Sequence, residues 1–148
     1  MKLNEQTLDA LKQSINQIGP DTAPVWGSLT PAQILRHLRA HLDVSLEREP
    51  VPDESNLMSR TVLKWLTFNV MTRWPKGLPA PKEFFPEPMQ VFQEERSALL
   101  QAMEEFVRES SRQPDKRVLS RGFGRATLRY WQRMHGLHFK HHLRQLGL

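Results

Sequence analysis

The chain has 148 residues, of which 39% are hydrophobic and 25% charged, the profile of one soluble globular domain with room for a real core. It has no cysteine, which excludes disulfides, thiolate metal sites, iron–sulfur clusters and a cysteine nucleophile. The net charge of +5 permits an anionic partner without demanding one.

Arg60, Lys64 and Arg73 interrupt the longest apolar stretches, so no transmembrane span is expected. The opening segment has no apolar core of the kind a secretory leader carries. Cytoplasm is the expected location. In chain order, Leu8, Leu11, Ile15 and Ile18 recur at spacings of three and four and predict a first helix from Asn4 to about Ile18. Gly19 and Pro20 end it. Thr30, Pro31 and Gln33 form a helix start with a capping box. The second helix should reach about Arg48, with Ile34, Leu35, Leu38, Leu42, Val44 and Leu46 as a wide apolar stripe.

A third helix is expected from Asn56 to about Trp74, with Leu57, Val62, Leu63, Leu66, Val70 and Met71 as its apolar set. Pro75, Pro79, Pro81, Pro86 and Pro88 then forbid a helix or a central strand and predict an extended crossover. A fourth helix should run from about Pro88 to Ser110. A polar loop with Pro114, Gly122 and Gly124 precedes a last helix, capped by Thr127 and reaching Leu146, with Gly147 just past its end. No strand is predicted. The fold class is all-α, in one domain spanning residues 1–148.

Charge is segregated. Glu83 to Glu109 holds seven acids and two bases, and Lys116 to Leu148 holds eight bases and no acid. On the last helix Arg129, Arg133, Lys140 and Arg144 share the outer face, which the acidic fourth helix could neutralise within the domain or across a homodimer. Nucleic acid is the weaker reading of that stripe, because no nucleic-acid motif accompanies it. Gly136 inside the last helix points to a neighbouring helix at close approach.

All six histidines lie in two short segments: His37 and His41 on the second helix, and His135, His138, His141 and His142 on the last. At about 100° per residue, with His135 at zero, His138 falls near −60° and His142 near −20°, among apolar residues that include Trp131. His141 falls off to the side. Two helices presenting imidazoles to one core can supply three or four nitrogen ligands, as bundles do when they build metal sites. Neutral imidazole suits Zn²⁺, Ni²⁺ or Fe²⁺ rather than Mg²⁺ or Ca²⁺. Three such ligands leave an open position for catalysis. The bland alternative is a hydrogen-bonded polar core.

Phe123, Gly124, Thr127 and Trp131, followed by His138, His141, His142, Gln145 and Gly147, form a string that resembles an uncharacterised branch of the DinB-like superfamily. The segment from Trp26 and Gly27 through Thr30 and Pro31 to His37 resembles its second-helix pattern. The resemblance implies an up-down-down-up four-helix bundle with a proline-rich crossover and an extra N-terminal helix. It implies one divalent ion, zinc first and nickel or iron after it, on His37, His138 and His142. Gln145 then supports the site, and His41, His135 and Trp131 are neighbouring or pocket residues. Relatives of this kind include thiol-dependent S-transferases and metal-dependent hydrolases. The expected chemistry is therefore activation of water or a low-molecular-weight thiol against a small-molecule substrate, not a membrane. A non-catalytic, metal-free bundle with a stress-response or interaction role is the alternative.

Overall fold

The computed structural model describes residues 1–74 and 91–148. It is mostly helical, in the order α1 (Glu5–Gln17), α2 (Pro31–Ser45), a π-helical stretch (Ser59–Leu63), α3 (Lys64–Asn69), α4 (Phe92–Arg112), β1 (Arg117–Ser120), β2 (Gly124–Thr127) and α5 (Leu128–Gln145). The expected crossover lies outside the described residues, as does the expected start of the fourth helix at Pro88.

Local chemistry sets the helix ends. Thr30 Oγ1 accepts from the Gln33 N–H at 3.2 Å, and Gln33 Oε1 accepts from the Thr30 N–H at 2.9 Å, so the capping box that opens α2 closes in both directions. Thr127 Oγ1 accepts from the Tyr130 N–H and caps α5. Gly147, at φ +82°, leaves α5 through the left-handed region that glycine enters without strain.

The apolar faces meet as amphipathic helices should. α1, α2 and α5 each touch α4, and α5 also touches α1 and α2. Ile15, Ile34, Leu35, Leu42, Leu99, Met103, Phe106 and Phe139 are fully buried where those faces meet. The wide stripe of α2 serves three neighbours: α4, α5 and β1.

Four expectations are corrected. First, a two-stranded antiparallel hairpin stands where only a loop was expected. Val118 faces Ala126 and Ser120 faces Gly124 across the ladder. The strands are four residues long, too short for alternation to stand out in the sequence. Gly124, at φ +66°, closes the three-residue loop, so the Gly122 to Gly124 stretch is a hairpin turn.

Second, the third helix is present over residues 57–69 but is interrupted by a π-helical stretch before the six-residue α3, and it ends short of Trp74. Four of its expected apolar residues, Leu57, Val62, Leu63 and Val70, are exposed, while Leu66 and Met71 are half-buried. The segment is held instead by Phe68 stacked on Tyr130, with centroids 5.7 Å apart, and by Lys64 Nζ donating to the Arg125 carbonyl at 2.7 Å.

Third, what approaches Gly136 is the N-terminal segment, not a helix. A Cβ there would lie 2.7 Å from Lys2 Cα and against the Met1 carbonyl oxygen. Leu3 N donates to the Gln132 carbonyl and fixes that segment along α5.

Fourth, within the chain α4 is neutralised mainly by α1 and by α2 with its C-terminal flank, so of the two expected routes the one inside the domain is corrected. Glu104 pairs with Lys12, Glu95 with Arg39 at 3.0 Å, and Glu105 with Arg48. Among the described residues, only Lys116 of the basic C-terminal third reaches an α4 acid, Glu109.

Candidate metal centre

Two i, i+4 pairs bring imidazoles to the site, because residues four apart share one helix face. α2 presents His37 and His41, and α5 presents His138 and His142. The α2–α5 packing brings His37, His138 and His142 together, all buried, with one ring nitrogen from each inside a 4.8 Å group. His138 Nε2 is the hub. It lies 3.0 Å from His37 Nε2 and 3.1 Å from His142 Nε2.

The tautomer of His142 follows from its neighbours. Gln145 Nε2 donates to the Trp26 carbonyl at 2.9 Å, and a carbonyl can only accept, so the amide orientation is set. Gln145 Oε1 then faces His142 Nδ1 at 2.8 Å and accepts its proton. The Nε2 lone pair of His142 is left aimed at the hub.

One nitrogen carries either a proton or a lone pair. His138 Nε2 can therefore satisfy both neighbours only as a single shared donor, whereas one cation can satisfy three lone pairs together. Tetrahedral coordination at metal–nitrogen distances of 2.0–2.1 Å separates the nitrogens by about 3.3 Å, a few tenths of an ångström wider than the two close pairs. The donor set fits a borderline divalent ion such as zinc, nickel or iron. Burial also favours ligation. It pushes the His142 ring down to about 3 and the His138 ring well below the ordinary imidazole value, with nearby imidazoles adding to both shifts. Both rings are neutral at neutral pH, the form that binds metal.

The other expected site residues take distinct places. His41 is half-buried, its ring 4.4 Å from that of His138, and lies outside the converging group. His135 is buried and faces elsewhere. Its Nε2 donates to Ser45 Oγ at 2.9 Å, while the Ser45 hydroxyl donates to the Leu42 carbonyl. Trp131 stacks on His135 at 5.3 Å in the core. His141 packs against Trp26 at 5.9 Å and His142 at 4.9 Å.

Gly27 is a supporting residue whose role sequence reasoning missed. It sits at φ +81°, and a Cβ there would lie 2.7 Å from Gln145 Nε2. Glycine is therefore needed for the Trp26 carbonyl and Gln145 to meet. The only signal in the sequence is a glycine beside a tryptophan in a loop. Ser45, the acceptor for His135, carries no sequence signal.

The family described as protein of unknown function (DUF1569) matches residues 1–147, and the chain belongs to it. No curated protein and no solved structure matches the chain.

Proposed function

We propose that this member of the DUF1569 family is a DinB-like four-helix-bundle protein that holds one divalent ion on His37, His138 and His142 and acts as a metal-dependent enzyme on a small molecule. The observation that carries the reading is the convergence of three buried imidazole nitrogens from two helices. A bound zinc, nickel or iron ion would act as a Lewis acid and make water or a small thiol nucleophilic near neutral pH. The chain supplies the rest. Gln145 holds His142 in the ligating tautomer, and the packed faces of α2 and α5 keep the three rings aimed at one point. The reaction type is that of a thiol transferase or a hydrolase.

The test is metal content per chain by inductively coupled plasma mass spectrometry, on untagged protein purified without chelator. One equivalent of zinc, nickel or iron is expected, and it should be lost in His138→Ala. Retention of the metal by that variant would overturn the ligand assignment. A second reading rests on the same distances. At 3.0 and 3.1 Å the nitrogens are also at hydrogen-bond length, as in a metal-free polar core of a non-catalytic bundle. A protein that arrives metal-free and refuses added Zn²⁺ and Ni²⁺ would establish that reading instead.

A further inference from the structure

A cavity of about 440 Å³ opens beside the three histidines. Trp26 and Trp74 form its aromatic walls, and Arg73, Lys140, His141 and Arg144 supply its polar lining. It adjoins the site across two rings of its lining, Trp74 and His141. Trp74 lies 5.8 Å from the His138 ring, and His141 lies 4.9 Å from the His142 ring. On α5, His141 lies beside the face that carries His138 and His142, and Lys140 and Arg144 line the cavity from the outer face.

The cavity combines cationic lining with a place beside the three histidines. Elsewhere several cations meet acids, as Arg39 does with Glu95, Arg60 with Asp53, Arg121 with Glu54 and Arg129 with Asp115. Among the described residues, Arg73, Lys140 and Arg144 pair with no carboxylate, and no Asp or Glu lines the cavity. Among the described lining residues these three cations outnumber the one α-carboxylate of Leu148, and an excess of positive charge in a concave wall raises the local concentration of anions. The indole walls favour a flat apolar body.

We propose that the substrate taken by this site is a small organic anion, an apolar planar body carrying a carboxylate or phosphate, with its anionic group on Lys140, Arg144 and Arg73 and its body against Trp26 and Trp74. This rests on the metal-enzyme reading for the word substrate. The binding of such an anion stands independently of it.

The experiment titrates the full-length protein with phenylacetate, phenyl phosphate, neutral phenylacetamide and inorganic phosphate. Tryptophan fluorescence and calorimetry report binding, in the metal-free and the Co²⁺-loaded forms. Both aromatic anions are expected to bind at least about tenfold tighter than the amide. The tighter of the two identifies the anionic group. A double variant, Lys140→Gln with Arg144→Gln, should lose that preference while taking up Co²⁺ as the parent does, read from the visible cobalt bands.

Equal binding of anion and amide would overturn the proposal. So would an anion preference that survives in the double variant, which would place the charge recognition elsewhere. Inorganic phosphate binding as tightly as phenyl phosphate would remove the role of the tryptophans and overturn it too. If the metal reading fails, no cobalt band appears, yet the anion preference is still readable in the metal-free protein.

Discussion

Gln145 controls the candidate site without belonging to the three converging imidazoles. Its amide nitrogen is occupied by the Trp26 carbonyl, so its oxygen has one available role, accepting the His142 Nδ1 proton. Partners of this kind set both the tautomer and the basicity of a ligating imidazole. Gln145→Leu keeps the bulk and removes both hydrogen bonds. Its affinity for Zn²⁺ is expected to fall about 10- to 100-fold, as measured by competition with a chromophoric chelator. Unchanged affinity would show that His142 needs no orienting partner. At this scale the sequence was informative about residue type. Imidazoles at i, i+4 on two apolar faces marked His37, His41, His138 and His142 as candidates, and the family resemblance implied His37, His138 and His142 among them. It was silent about Ser45 and Gly27, whose roles depend on residues 90 and 118 positions away.

Among the elements, α5 does the most positioning, and Gly136 sits at its closest packing. Exposed in a helix, Gly→Ala would stabilise by about 1 kcal/mol. Here the new methyl would meet the backbone of Met1 and Lys2, which cannot rotate away as a flexible side chain could. Overpacking of this kind costs about 1–3 kcal/mol. Gly136→Ala is therefore expected to be destabilising, with a lower urea midpoint. A midpoint equal to or above the parent's would show that the N-terminal segment detaches at little cost. Helix starts were legible because caps are local chemistry: Thr30 with Gln33, and Thr127 with the Tyr130 N–H. In the third helix the π-helical stretch and the exposure of Leu57, Val62, Leu63 and Val70 were not legible, because period alone does not say which face finds a partner. The hairpin was missed because two four-residue strands are held by each other and by the 3D position of Val118 and Ala126, both buried.

For the whole molecule, buried imidazoles couple folding to pH. The His135 and His142 rings are each pushed down to about 3 by burial, so the folded chain binds fewer protons than the unfolded one between that value and about 6.5. Their contribution is complete above pH 6.5 and is lost as pH falls toward 3. The slope is about 1.4 kcal/mol per pH unit for each group. Metal-free protein should show a urea midpoint that is steady above pH 7 and falls progressively from pH 6.5 to 5. A midpoint unchanged between pH 7.5 and 5 would mean that these rings are hydrated or already charged in the folded state.

By itself the sequence determined helical class, helix starts and the residue types of the site. Those follow from short-range rules: a 3.6-residue period, caps within four residues, and the lack of any thiol. Tertiary structure alone decided which imidazoles converge. His135 shares its helix face with His138 and His142, yet Ser45 turns its Nε2 away, while His37 arrives from a helix 101 residues distant in sequence. It also decided the fate of the basic stripe. Arg129 is paired with Asp115 and Arg133 donates to the Met71 carbonyl, whereas Lys140 and Arg144 open onto the cavity. A helical wheel places side chains at angles about one axis. Which of them meet depends on where the neighbouring elements pack, and that packing is settled by burial summed over the whole chain.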